Sequence, residues 1–507
     1  MLTVAMLFGD NMVLQRQKEI KIWGTGDTGK TIKGLLKGEE YTEAITDVDN
    51  AGNWMLVFPP QEAKRGVEAI ITDGSDTVRF ENVCIGEVWL AGGQSNMEYH
   101  LEFDEEKENV LAGFMNPDIR FFDYPEVSYE EQIKEGDYSK FGFWRTCTRE
   151  NLPYFSAAGY YFAENLNENL DIPIGILGCN WGGTPACAWM DPSYLKDNEG
   201  KAWLDEYDEE VKGLDVKAYQ SSFKANPTNY HTDFFGDPMT CKILYPGISR
   251  EEQLEWMRQM PEAEEDLSHR MGPYHECRPG GLYETMVRKA APYTLRGVIW
   301  YQGEADDRRA ELYGIVFSQM IQNWRDLWQD ELPFLFVQLA PFGRWMAASG
   351  KPFPKLRNQQ EWVSKNITNT WMISSSDAGM EWDVHPKHKR PIGTRLALLA
   401  RGHVYGEDLL CDPPELKSAR RTEAGIQVEF NYSEGLHIEG SHVNGLVLID
   451  ERGAIIMPDR MIIKEDKLLI SGRFPEKITV SFAKTPYYQV NLYNKMNNPV
   501  KPFEITI

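Results

Sequence analysis

From about residue 83 onward, short apolar runs recur with helix-like stretches between them, and this alternation constrains the fold more than any other feature. Val83 to Ala91 is mostly apolar and ends in Gly92-Gly93. Similar runs stand at Ile119-Arg120-Phe121-Phe122, Ile174-Gly175-Ile176-Leu177, Gly297-Val298-Ile299-Trp300, Phe334-Leu335-Phe336-Val337 and Trp371-Met372-Ile373-Ser374. Ala157 to Leu170 and Leu312 to Trp328 read as helices among them. A strand that is apolar along its whole length is buried on both faces. In a chain that alternates strands with helices, such strands form a parallel sheet covered on both sides.

The flanks follow another grammar. Glu19-Ile20-Lys21-Ile22-Trp23 alternates polar and apolar before Gly24-Thr25-Gly26-Asp27 breaks it. Asn53 to Phe58, Val67 to Ile71 and Thr77 to Phe80 are further short runs bounded by turn residues. Period-two runs at this spacing indicate a β-sandwich-like module over residues 1–82. Beyond Cys411-Asp412-Pro413-Pro414, the runs Ile426–Phe430, Gly445–Ile449, Lys467–Ile470 and Ile478–Phe482 indicate a second β module over 411–507. The α/β domain occupies 83–410. An insertion at about 191–282, rich in charged and aromatic residues and helix-like at Glu251–Met260, reads equally as a wall over a site or as a solvated excursion. Three domains suit 507 residues at roughly 100–200 residues each.

Acidic residues outnumber basic ones by 77 to 53, a net charge of −24. That field repels polyanions, so nucleic acid and acidic membrane surfaces are poor candidate partners and a small neutral substrate is favoured. No apolar window approaches a membrane span. The start, Met1 to Phe8 followed closely by Asp10, has no basic opening, long apolar core or small-residue cleavage site, and the cytoplasm is the expected compartment. The seven cysteines (84, 147, 179, 187, 241, 277 and 411) contain no C-x-x-C pair. Neither a disulfide framework nor a structural zinc site is expected from them.

The chemistry concentrates where apolar runs end. Val88 to Met97 carries a strand into Gly92-Gly93, then Gln94-Ser95-Asn96 and a helix start. In an open α/β sheet, ligands bind beyond the carboxyl ends of the strands. Ser95 there has the exposed hydroxyl of a nucleophile and an N–H placed to stabilise an oxyanion; equally, it could simply cap the helix. Of the nine histidines, only His385 follows closely on a sheet strand, and Asp383 two residues earlier could hold its ring. The loops Trp181-Gly182-Gly183-Thr184 and Trp300-Tyr301-Gln302-Gly303-Glu304 end two further strands. The backbone N–H of Gly182 or Gly183 and the Gln302 amide are candidate oxyanion donors. Taken singly, the glycines read as turn residues and Gln302 as a satisfied buried amide.

Four segments in this order, Gly93-Gln94-Ser95-Asn96-Met97, Trp181-Gly182-Gly183-Thr184, Trp300-Tyr301-Gln302-Gly303-Glu304 and Asp383-Val384-His385-Pro386, resemble the sialate O-acetylesterase-like branch of the SGNH (GDSL) hydrolases. Leu7 to Gln15 and Arg278 to Tyr283 are similar to the same family. The resemblance implies a flavodoxin-like three-layer α/β/α central domain and hydrolysis of O-acetyl groups from carbohydrates without metal or organic cofactor. It matches Ser95 to the nucleophile, His385 to the base and Asp383 to its partner, with Ser95, Gly182, Gly183 and Gln302 forming the oxyanion hole. The superfamily's usual oxyanion side chain is Asn, where this chain has Gln302. Its acid usually stands three residues before the histidine, a place held here by Trp382, so Glu381 or a backbone carbonyl is an alternative orienting group. The charge favours acetylated hemicellulose-type (xylan) oligosaccharides over O-acetyl sialic acids. A non-catalytic carbohydrate-binding protein is the alternative of another class.

Overall fold

The computed structural model describes residues 1–225, 252, 255, 270–345 and 348–507. Apart from Glu252 and Glu255, the helix expected at Glu251–Met260 lies outside the described residues. The chain forms two compact units. The first takes the described residues within 1–246, 266–305 and 315–334, the second those within 247–265, 306–314 and 335–507. Among the described residues, no helix is long and apolar enough to cross a membrane.

In the first unit, one long strand, Thr77–Gly93, serves two partnerships. Its first part alternates exposed and half-buried residues and pairs antiparallel with Lys64–Thr72, which in turn pairs with Thr31–Lys37. From Val83 onward every residue is buried. There the strand pairs in parallel with Val13–Gln15 through Cys84–Gly86, then with Ile174–Asn180 and Gly297–Tyr301. The sequence suggested two strands, 77–80 and 83–91. The chain instead continues through Asn82, which adopts a left-handed conformation (φ 53°), and pairing with Lys64–Thr72 shifts register nearby. The short break in hydrophobic pattern is a bulge within one strand.

The spatial order around this strand is Trp144–Thr146, Ile119–Asp123, Ile174–Asn180, Thr77–Gly93 and Gly297–Tyr301. All these neighbours run parallel except Trp144–Thr146, which adds an antiparallel edge and makes the sheet mixed. The expected helix is present at Ala157–Leu170, where Ser156 Oγ accepts the Gly159 N–H at 3.0 Å and caps it. Beneath the strand ends lies an aromatic core. Trp300 stacks on Phe317 at 5.9 Å and meets Trp324 edge-on, and Trp324 donates to the Trp189 carbonyl at 2.8 Å.

Phe334–Val337, in the second unit from Leu335 on, and Thr370–Ile373 are neighbouring strands, and Gln338 N–H donates to the Ile373 carbonyl at 3.1 Å. Toward the C-terminus, two four-stranded antiparallel sheets follow. One has the order Glu415–Thr422, Gly425–Asn431, Lys467–Ser471, Arg460–Lys464, and the other Ile455–Ile456, Leu446–Asp450, Ile478–Phe482, Phe503–Thr506. Val428, Leu448, Leu468, Val480 and Phe482 bury a common core there. The fold is thus a mixed α/β arrangement with a large mixed sheet and C-terminal β-sheets.

Candidate active site

Three strands of the first unit end at one level, because their parallel register sets Gly93 beside both Asn180 and Tyr301. The loops that follow, at Ser95, Gly182-Gly183 and Gln302, therefore emerge on one rim. The close approach depends on glycine. Gly93 has φ 139°, and a Cβ there would stand 2.1 Å from the Tyr301 carbonyl oxygen.

Ser95 opens a one-turn helix, Ser95–Glu98, and is half-buried between the buried Gln94 and Asn96. Those neighbours tie its turn to the third loop. Gln94 Oε1 accepts the Ala305 N–H at 3.1 Å, and Asn96 Nδ2 donates to Glu304 Oε1 at 2.5 Å. Gln302 is fully buried and donates through Nε2 to the Thr184 carbonyl at 3.1 Å, joining the second and third loops. Gly182 lies against the nucleophile candidate, since a Cβ on it would sit 3.3 Å from Ser95 Cβ. Its N–H donates to Glu98 Oε2 at 2.7 Å. Gly183 turns with φ 74° and has open space where a side chain would be.

Sequence reasoning missed Glu98, for a half-buried carboxylate partnered 84 positions away leaves no local pattern. Burial, and then the nearby Asp123 carboxylate, push its pKa up to about 7 against the pull of the Gly182 N–H. Burial likewise raises Asp123 to about 7, while Arg145 pulls the other way. Near neutral pH, the group that grips the Gly182 amide is therefore divided between its charged and neutral forms.

The second unit holds Asp383 and His385, on the loop that follows Thr370–Ile373. Arg395 clamps the root of this loop with two 2.7 Å bonds to the Asp377 carboxylate. Further on, the Glu381 carbonyl accepts from the Gly343 and Arg344 N–H groups at 3.2 and 2.9 Å. Trp345 then stands edge-on to the His385 ring, with centroids 5.1 Å apart. The two-residue spacing has a local cause. Asp383 Oδ1 accepts the His385 backbone N–H at 2.8 Å, an Asx-turn, and this folds the imidazole back until Nδ1 is 3.2 Å from the same oxygen. The other carboxylate oxygen lies 2.8 Å from Lys387 Nζ, a second partner that sequence reasoning missed.

Both groups are buried. Burial works to raise the Asp383 carboxyl, yet the His385 ring and the Lys387 ammonium outweigh it and hold the group down at about 2. Burial lowers the His385 pKa, Asp383 opposes that, and Lys387 and Lys389 add to it. A His385 pKa lowered from 6.5 favours the neutral imidazole at pH 7, and the carboxylate 3.2 Å from Nδ1 favours the tautomer protonated on that nitrogen.

Comparison with known proteins gives a consistent picture. A family model described as carbohydrate esterase, sialic acid-specific acetylesterase, matches residues 256–400, a span that includes Gln302, Asp383 and His385. The chain is 28% identical over 430 residues to a sialate O-acetylesterase of Rattus norvegicus, covering 78% of this chain and 72% of that protein. It is 26% identical over 437 residues to the one of Homo sapiens, covering 80% and 71%. Among solved structures, a carbohydrate acetylesterase from Xanthomonas citri superposes with a TM-score of 0.73 at 26% identity, over 99% of both chains.

Proposed function

We propose that the chain, a member of the sialate O-acetylesterase-like branch of the SGNH hydrolases, is a serine carbohydrate O-acetylesterase with Ser95 as nucleophile, His385 as general base and Asp383 as the acid that orients the imidazole. The observation that carries this reading is the Asp383–His385 pair: a buried imidazole with its pKa lowered, and a carboxylate 3.2 Å from Nδ1. A carboxylate facing Nδ1 favours the tautomer that leaves Nε2 as a base.

In the first step His385 takes the Ser95 proton as the hydroxyl oxygen bonds to the acetyl carbon. The tetrahedral oxyanion then collapses, the C–O bond to the sugar breaks, and the sugar oxygen leaves with that proton. In the second step water gives a proton to His385, its oxygen attacks the acetyl-serine, and Ser95 departs with the proton while acetate is released. The Ser95 and Gly183 N–H groups and the Gln302 carboxamide are the oxyanion donors in this reading. Gly182 forms the wall beside Ser95, because its own N–H is held by Glu98. The reading includes a flavodoxin-like three-layer domain at 83–410 between β modules at 1–82 and 411–507, acting in the cytoplasm on small acetylated sugars.

For the substrate, the names of the relatives support O-acetyl sialic acid, while the net charge of −24 supports neutral acetylated xylo-oligosaccharides. Acetate release from both, by wild type and by Ser95→Ala, tests the proposal. Turnover of at least one by the wild type and neither by the variant is expected, and the faster substrate names the class. Equal release by Ser95→Ala would refute the nucleophile. Sugar binding without release by the wild type would mark a non-catalytic carbohydrate-binding protein.

A further inference from the structure

The second unit brings together three metal-ligating side chains that the hydrolytic chemistry does not use. The helix that starts at Arg390 closes with a wider final turn, Ala400–Val404, which carries His403. Eight residues further on, Cys411 and Asp412 begin the approach to the Glu415–Thr422 strand. His403 Nε2 is 3.4 Å from Cys411 Sγ and 3.0 Å from Asp412 Oδ2, and Cys411 Sγ is 3.5 Å from that same oxygen.

These three lengths suit one face of a coordination tetrahedron. Bonds of about 2.3 Å to sulfur and about 2.0–2.1 Å to nitrogen and oxygen, at tetrahedral angles, require edges of about 3.5 Å from sulfur to either partner and about 3.3 Å from nitrogen to oxygen. A hydrogen bond alone accounts for His403 against Asp412. Weaker hydrogen bonds of the Cys411 thiol hold the sulfur at the same range from both partners, so the three ligand atoms converge before any ion is bound.

The surroundings are built to hold this triangle. Trp371 stacks on the His403 ring, with centroids 4.6 Å apart and planes 13° from parallel, which fixes the ring's plane. Gly402 leaves room for the sulfur, since a Cβ there would lie 2.4 Å from Cys411 Sγ. Asn498 and Asn494 donate to the carbonyls of Cys411 and Asp412, each at 3.3 Å, and secure the backbone of both. Cys411 is buried, while His403 and Asp412 keep partial access to solvent. An ion can therefore enter, and water can supply the fourth ligand.

We propose that His403, Cys411 and Asp412 form a binding site for one borderline-soft divalent transition metal ion, Zn2+ by ligand type, which ties the end of the Arg390–Val404 helical segment to the start of the C-terminal strands. Thiolate with imidazole selects against Ca2+ and Mg2+, which take all-oxygen shells. Binding converts the Cys411 thiol to thiolate and releases its proton to solvent. The ion's role is structural and independent of acetyl transfer. The spacing, a histidine with Cys-Asp eight and nine positions later, belongs to no C-x-x-C pattern, so a search for such pairs passes over it.

The test uses the full chain, reduced and stripped by chelator, titrated with Co2+ and then with Zn2+. The wild type should bind one Co2+ with a thiolate charge-transfer band that Zn2+ abolishes by displacement, and Zn2+ should raise its Tm. Cys411→Ser should lose the band, and Asp412→Asn should weaken Co2+ binding by about tenfold or more. Cys277→Ser should keep both, which separates this site from the neighbouring-residue group His275, Glu276 and Cys277. Acetate release by each variant reports that it is folded. If Cys411→Ser does not fold, Asp412→Asn decides. No band in the wild type, a band that survives Cys411→Ser, a band lost with Cys277→Ser, or unchanged affinity in Asp412→Asn would each overturn the proposal.

Discussion

Asp383→Asn perturbs two properties that can be measured separately. Asparagine keeps the size of the side chain and one acceptor oxygen, so the turn closed on the His385 N–H at 2.8 Å can persist. It removes the charge that faces His385 Nδ1 at 3.2 Å and Lys387 Nζ at 2.8 Å. For catalysis, the imidazole loses the group that fixes its proton on Nδ1 and stabilises the imidazolium, and kcat should fall on the order of 10⁴-fold. For stability, the carboxyl stands at about 2 in the fold against 3.8 when unperturbed. The difference, 3.8 minus about 2, at 1.36 kcal/mol per unit, is worth about 2.5 kcal/mol. The sign follows from the direction: a depressed carboxyl contributes stability above about pH 4 and loses it as pH falls toward 2. Urea denaturation should therefore show the variant about 2.5 kcal/mol less stable at pH 7, with the gap closing as the pH drops below 4. Acetate release gives kcat in the same preparations. A kcat within tenfold of wild type would refute Asp383 as the orienting acid, and a much larger loss in Glu381→Gln would transfer the role to Glu381.

Three further substitutions probe the surroundings. Lys387 lowers the His385 pKa, so Lys387→Met should move the acid limb of kcat/KM to higher pH, and an unmoved limb would count against His385 as the base. Gly93→Ala places a Cβ 2.1 Å from the Tyr301 carbonyl at a φ of 139° and should destabilise the protein by about 3 kcal/mol in chemical denaturation, whereas a neutral result would mean that the three strand ends are not so close. Glu98 is raised from 4.5 to about 7, so its contribution is full below about pH 4.5 and is lost as pH rises through 7. Glu98→Gln, which can still accept the Gly182 N–H, should gain up to about 3 kcal/mol over wild type at pH 8 and nothing at pH 4.5; no gain at pH 8 would show that Glu98 is not the strained acid of the rim.

The strands at 119–123, 174–180 and 297–301 were legible because burial on both faces demands unbroken apolar runs, and the helix at 157–170 because its length and pattern are local properties. The strand Thr77–Gly93 was misread as two because its halves obey different periods: the first alternates while the second is buried throughout. The Asp383–His385 contact was partly legible, since an Asx-turn acts over two residues and needs no distant partner. What joins Glu98 to Gly182 acts across 84 positions and depends on which strands become neighbours, which composition and periodicity do not encode.

The failures of local reading gather around one residue. Within a few positions of Ser95, or packed against it, are a glycine whose backbone admits no side chain, a half-buried carboxyl raised to about 7 and a backbone amide held by that carboxyl. The first two are unfavourable for folding taken alone, and the third offsets part of the second. An apolar residue in place of Glu98 would remove a half-buried charge, but would leave the Gly182 N–H without its acceptor and its loop unfixed. Sequence-level rules fail in natural proteins mainly where function imposes a geometry that folding would not choose. The clustering of these exceptions around Ser95 is a reason, separate from any likeness to other proteins, for the role proposed for that residue.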